Sequence, residues 1–156
     1  MWQRIQSVFL GLVILSLAVA IFMPIWVHVD GPGGISHELY PLHYTIKENG
    51  QRVSAYFPYS ATAILMVAAI TLAVMEIQRY KNRVAQVKLG TLNSLILAGV
   101  MISSVVFANQ FSKEFTTDWK YGLGLYLPFV AVTCNWLAIR FIRRDDKLVR
   151  DSDRLR

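Results

Sequence analysis

The sequence predicts an all-α membrane protein: a bundle of four transmembrane helices with a small extracytoplasmic β-hairpin between helices 1 and 2. Three observations predict it. Four separate apolar runs each reach roughly 20 residues, the length that crosses a bilayer as a helix. Only 17% of the 156 residues are charged, against about 25% in soluble domains. The one long segment that is neither continuously apolar nor strongly basic, residues 28–57, holds Asn49-Gly50 between two alternating stretches. The length suits one domain.

The first apolar run covers residues 8–27 and is broken only by Gly11, Ser16 and Pro24. Arg4, the apolar stretch and Ala18-Val19-Ala20 imitate the three parts of a signal peptide. The run continues past Ala20 to Val27, so a retained first span is the expectation. Pro24 stands near its far end, where a helix bends or stops at low cost. The second span is expected over 58–77, with Pro58 in the first turn, where its missing N–H costs nothing. The third is expected over 89–108. The fourth covers 123–142, with a kink or tight first turn at Pro128.

Lys and Arg set the orientation. Twelve gather on one side: Arg4, the Arg79–Lys88 connector, and the tail from Arg140 onward. Four lie on the other: Lys47, Arg52, Lys113 and Lys120. Both termini are therefore expected in the cytoplasm. The net charge of +6 might suggest nucleic acid, but basic residues bracketing apolar runs serve topology, and no nucleic-acid partner is expected. Small residues at close-packing intervals, Ala69/Ala73, Gly90/Ser94 and Gly99/Ser103, let helices approach within the chain, or across a homo-oligomer.

Asn49-Gly50 is the strongest short hairpin signal, because both central residues of a type I′ turn need positive φ. Pairing around it runs from Glu48–Gln51 out to Leu42–Phe57. One face then carries Leu42, Tyr44, Ile46, Val53, Ala55 and Phe57; the other carries His43, Thr45, Lys47, Arg52, Ser54 and Tyr56. A slip of one residue would scramble both faces. A lone hairpin is marginal in water, so its apolar face needs a cover: the outer helix ends, a third strand from Trp26–Asp30, or a partner protein. Gly31-Pro32-Gly33-Gly34 allows a reversal after that strand. The second outer connector, with Phe111, Phe115, Trp119 and Tyr121, either lies against the sheet or anchors at the membrane interface.

Reactive chemistry is sparse. His28, His37 and His43 share the outer loop with Asp30 and Glu38, but their spacings of nine and six match no metal motif, and no metal or cofactor is expected. Cys134 is the only cysteine, which removes disulfide and CxxC chemistry. Gly122-Leu123-Gly124 lacks the third glycine and acid of a dinucleotide site. No nucleophile–base pair is legible, so an enzyme is not expected. Glu76, the only acid within a span, is expected to pair with Arg79 three residues on. Asn93 and Asn135 are expected to form interhelical hydrogen bonds. In the tail, Phe141, Leu148 and Leu155 recur every seven residues, while Asp146/Arg150 and Lys147/Asp151 stand at i,i+4. It reads as a charged helix continuing the last span.

The opening Gln3-Arg4-Ile5-Gln6-Ser7 forms one recognisable motif. The others are the connector Lys81-Asn82-Arg83…Gln86-Val87-Lys88-Leu89 with Asn93, and the closing Asp146-Lys147-Leu148-Val149-Arg150…Asp153-Arg154-Leu155-Arg156. Through these, and through length and span order, the whole chain resembles a bacterial family of small four-span membrane proteins common in Bacteroidetes and classed as a domain of unknown function. Ser152 is a mild departure from its closing pattern. The resemblance implies a four-helix inner-membrane protein and no activity.

The expectation is therefore a non-enzymatic inner-membrane protein, an accessory or assembly subunit of a membrane or envelope complex, embedded in lipid. A protein partner would meet Tyr44, Ile46, Val53 and Phe57 on the hairpin, or Leu148, Arg150, Arg154 and Leu155 on the tail. The alternative is a small oligomeric transporter with Glu76 as its coupling acid.

Overall fold

The computed structural model describes residues 2–30, 34–48, 51–80, 82–115 and 118–154; side chains at 2–4, 30 and 149–154 are outside that description. The chain runs α1 (Trp2–Phe22), β1 (Trp26–Asp30), β2 (Ile35–Leu39), β3 (Tyr44–Glu48), β4 (Gln51–Ala55), α2 (Ser60–Gln78), α3 (Arg83–Glu114), β5 (Trp119–Tyr121) and α4 (Leu123–Arg154). All five strands join one antiparallel sheet in the order β4-β3-β2-β1-β5. The fold is therefore α+β, and the expectation of an all-α bundle with one hairpin is corrected.

The physical reason lies in what the hairpin needed. Its register is Tyr44↔Ala55, Thr45↔Ser54, Ile46↔Val53, Lys47↔Arg52 and Glu48↔Gln51, the pairing that an Asn49-Gly50 turn dictates; the turn residues themselves lie outside the described residues, as does the reversal at 31–33. Two strands alone bury too little, so the sheet grows by three more. Ile35–Leu39, read from sequence as loop, pairs with β3 and with β1. Trp119–Tyr121, read as connector, closes the other edge of β1. The candidate third strand Trp26–Asp30 is real, but it sits beyond β2 rather than beside the hairpin.

Four described helices are long and apolar enough to cross a membrane. Each packs on its two neighbours, with α1 between α2 and α4 and α3 closing the ring. Their buried stripe, including Val13, Leu17, Met66, Ala69, Ala73, Leu97, Val100 and Ala131, forms the bundle core. Their outer faces are also apolar: Val8, Leu15, Phe22, Ile64, Val67, Leu95, Ile102, Phe129 and Val130 are all exposed. A helix apolar on every side belongs in lipid, and the molecule is built as a multi-pass membrane protein. Ala69 and Ala73 are consumed inside this core, and a Cβ on Gly99 would stand 3.6 Å from Leu65 Cδ1 across α2–α3.

The first helix ends at Phe22, five residues short of the apolar run's end at Val27. Pro24 stops it, and Ile25 already donates its N–H to Leu39 O at 2.7 Å. Pro58 precedes α2 rather than opening it. Pro128 lies inside α4, which continues unbroken to Arg154.

A second core joins sheet to bundle. Ile25, Trp26, Leu39, Ala108, Phe111 and Leu125 are buried together, with Tyr44, Tyr59, Phe107, Phe115 and Trp119 packed against them. Gly122 and Gly124 make the junction tight. Their N–H groups donate to Ile25 O and Pro24 O, both at 2.9 Å. A Cβ on Gly122 would stand 2.0 Å from Pro24 O, and one on Gly124 2.4 Å from Met23 O. These glycines serve close backbone approach.

Candidate functional site

Two groups of polar residues are held by this frame, at opposite ends. At the sheet end, strand alternation divides the residues between faces. The inner face presents Trp26, His28, His37, Leu39 and Tyr44 to the end of α3. Tyr44 stacks on Phe111 with ring centroids 4.5 Å apart, and Phe115 lies 4.7 Å from both the His28 and His37 rings. Tyr44 Oη and His37 Nδ1 share a hydrogen bond of 2.7 Å. Burial, then the Glu114 charge, pushes the Tyr44 phenol up to about 12; it stays a neutral hydroxyl.

The outer face carries a row of polar groups. Lys47 donates to Glu38 Oε1 in an ion pair, Tyr40 donates to Glu38 Oε2 at 2.7 Å, and Thr45 and Ser54 share a 3.1 Å bond. Burial raises the Glu38 carboxyl, but the Lys47 and Tyr40 hydrogen bonds and the Lys47 and Arg52 charges outweigh it. They hold Glu38 below the ordinary carboxylate value. His43 stacks on Tyr40 at 5.0 Å, on this outer side, so the three histidines divide between two faces. Among the described residues, no His/Cys/Asp/Glu group could hold a metal.

The other end is different in kind. Polar residues on the buried stripe of α3, Gln86 and Asn93, meet Glu76 of α2 and Asn135 of α4 around Gly90. Gln86 Nε2 donates to the Glu76 backbone carbonyl at 3.0 Å. Asn93 Nδ2 donates to Asn135 Oδ1 at 3.3 Å. Asn135 Nδ2 donates in turn to Gly90 O at 3.1 Å and Ser94 Oγ at 2.9 Å. Gly90 is what makes the meeting possible, since a Cβ there would stand 2.9 Å from Glu76 Oε1 and 2.8 Å from Ile139 Cγ1. Glu76 is 0% exposed. Both of its carboxylate oxygens, Gln86 Oε1 and Asn93 Oδ1 have no hydrogen-bond partner among the described residues. Four buried acceptors without donors are a chemical demand for a proton, a water or a cation.

The full-length match decides the relationship. The chain belongs to a family described as a domain of unknown function (DUF4293), matched over residues 2–155. No curated protein matches the chain.

Within this DUF4293 member the sequence-expected positions separate. The Glu76–Arg79 ion pair is not formed: Arg79 caps α2 and is exposed, while Glu76 turns inward against Gly90. Arg79 stands beyond the last helical residue, where the backbone leaves helical geometry, while Glu76 continues the Met66, Ala69, Ala73 buried stripe. Of the expected hairpin contacts, Tyr44 is occupied by Phe111 and His37 and is not offered to a partner. Ile46 is half-buried, whereas Val53 and Phe57 are 68% and 88% exposed. Leu148 is exposed; the side chains of Arg150 and Arg154, and Leu155 altogether, lie outside the described residues.

Sequence reasoning missed Gln86, Glu38 and Tyr40. Gln86, Gly90, Asn93, Leu97, Val100 and Ser104 follow one helical stripe at intervals of three and four, which is a legible signal. Glu38 and Tyr40 had none, because β2, which holds the first and ends just before the second, was unrecognised.

Proposed function

We propose that this DUF4293 member is a non-enzymatic subunit of a membrane or envelope complex that docks a partner protein along strand β4. The observation that carries this reading is the state of that strand. All five residues of β4 are exposed, it forms the edge of a five-stranded sheet, and Val53 and Phe57 continue its apolar side into solvent. An open edge offers unpaired backbone groups to an added strand, and Val53 would fill a partner's side-chain pocket. The partner chemistry is an extended segment with an apolar residue opposite Val53 and an acid opposite Arg52. The excess of Lys and Arg at the helix-only end, twelve against four, supports a bacterial inner-membrane placement with both termini cytoplasmic and the sheet outside.

A photocrosslinking residue at Val53 tests this in intact cells. The expected result is one discrete protein adduct, absent when the same residue replaces lipid-facing Ile64. Adducts to lipid alone, or equal adducts from both positions, would remove the docking role. Orientation is read separately. Gln51→Cys should react with an impermeant maleimide added outside, against the background of buried Cys134.

The second reading is a small oligomeric transporter with Glu76 as coupling acid. The unpartnered Glu76 carboxylate beside Gln86 and Asn93 favours it. Glu76→Gln would then abolish ion flux in proteoliposomes; flux that persists unchanged sinks it.

A further inference from the structure

At the helix-only end, α3 and α4 leave a groove between them that opens to the bundle's outer surface. Its upper part is a cavity of about 420 Å³ lined by Thr91, Ser94, Trp136, Ile139, Arg140 and Arg143. Its lower part, about 310 Å³, is lined by Arg83, Val84, Val87, Lys88, Arg143 and Asp146. Arg143 borders both, so the two lie end to end along the helices. The stripe Trp136, Arg140, Arg143 on α4 faces the stripe Val84, Val87/Lys88, Thr91 on α3.

The geometry points to a binding site for one anionic phospholipid, its phosphate among Lys88, Arg140 and Arg143 and its acyl chains against Trp136, Ile139 and the upper groove. Charge complementarity is the first argument. Arg83 is already committed, with its guanidinium on Asp145 Oδ2 at 3.0 Å and on Asp145 O at 2.9 Å. That leaves Lys88, Arg140 and Arg143 against the single Asp146, a net positive lining that fits a phosphodiester lacking a compensating ammonium.

Depth is the second argument. Lys88 directly precedes the apolar stretch that begins at Leu89, and Arg140 and Arg143 stand where α4 turns from apolar to charged. All three therefore meet the membrane at phosphate level. Trp136 lies roughly 10 Å deeper than Arg143, at 1.5 Å per residue, and is 55% exposed on the lipid side. A soluble anion would have no use for that apolar extension; a phospholipid spans both levels. Arg140 also lies over the Trp136 ring, 5.4 Å from its centroid, which holds the guanidinium at the groove wall rather than free in the headgroup region. The hydroxyls of Thr91 and Ser94 donate within α3, to Val87 O and Gly90 O. They form floor and do not compete for the phosphate.

The test uses the full chain in nanodiscs of equimolar phosphatidylcholine, phosphatidylethanolamine and phosphatidylglycerol, released and weighed by native mass spectrometry. Wild type should retain one phosphatidylglycerol in preference to the zwitterionic lipids. Each of Lys88→Gln, Arg140→Gln and Arg143→Gln should lower that preference on the order of fivefold. Arg79→Gln, at the same end but outside the groove, should leave it unchanged. Equal retention of all three lipids, a preference that survives the triple variant, or an equal loss in Arg79→Gln would overturn the assignment. So would displacement of the lipid by soluble glycerol phosphate. A measurement on folded wild type stands beside the variants. Brominated phosphatidylglycerol should quench tryptophan emission more than brominated phosphatidylcholine, and Trp136→Phe should remove the difference; equal quenching contradicts the site.

Discussion

The two ends of the bundle handle buried polarity in opposite ways. At the sheet end, carboxylate, hydroxyl and phenol groups find one another: Glu38 with Lys47 and Tyr40, Tyr44 with His37, Thr45 with Ser54. Among the described residues, Trp26 Nε1 and His43 Nδ1 are without a partner there, but both are ring nitrogens packed among aromatic rings, where weak ring contacts soften the loss; in the sheet-side half of α3 the Ser104 hydroxyl is also unmet. At the other end Glu76, Gln86 and Asn93 leave oxygen acceptors buried without donors among the described residues. Unmade hydrogen bonds of this kind cost about 1–3 kcal/mol each, more for a charged group. The polar groups of the sheet end largely meet one another; those around Glu76 leave acceptors unmet among the described residues.

Substitutions that break the junction should have the largest effects. Trp26→Ala empties a fully buried position between Phe111 and Phe115 and should cost about 4 kcal/mol, read as a fall in unfolding temperature in detergent. Gly122→Ala drives a methyl group into the Pro24 carbonyl and should cost about 3 kcal/mol by the same measurement. If either is silent, the sheet is not seated on the helix ends as described.

At the polar cluster, Asn93→Ala removes one interhelical hydrogen bond, worth roughly 1 kcal/mol in a membrane protein. A loss matching Trp26→Ala would place stability, not a site, at this end. The smallest effect belongs to the outer face of the sheet. Because Glu38 is held below the ordinary carboxylate value, its contribution is present above that value and is lost as pH falls through the lower folded value. Wild type should therefore lose unfolding temperature on acidification across that window. Lys47→Met, already weakened at neutral pH, should show a shallower fall; identical slopes would detach Glu38 from the effect.

How much of this was legible in the sequence follows the range of the interactions. The helices were, because their apolar runs are local. The hairpin register was, because Asn49-Gly50 and the alternation around it lie within fifteen residues. The five-stranded sheet was not: β5 joins β1 from about ninety residues away, and a three-residue strand carries no period of its own. Ile35–Leu39 was hidden for another reason. Its inner face alternates Ile35, His37 and Leu39 around a histidine, and the Gly-rich approach read as loop. The same histidine matched no metal motif in the sequence, and the fold hydrogen-bonds it to Tyr44 and sets its ring against Phe115. Glu76 was recognised as the lone intramembrane acid, but its partner was misassigned. Pairing at i,i+3 is a property of exposed helix surface, and Glu76 lies on the buried stripe with Ala69 and Ala73.

The contrast between the ends comes down to one paired measurement, the unfolding temperatures of Trp26→Ala and Glu76→Gln in the same detergent. Glu76→Gln keeps the shape, cannot ionise and supplies an N–H among oxygens that lack donors among the described residues. The account predicts that it unfolds at or above the wild-type temperature, while Trp26→Ala unfolds well below it. A fall in Glu76→Gln as deep as that of Trp26→Ala would contradict it, because Glu76 would then be part of what holds the bundle together.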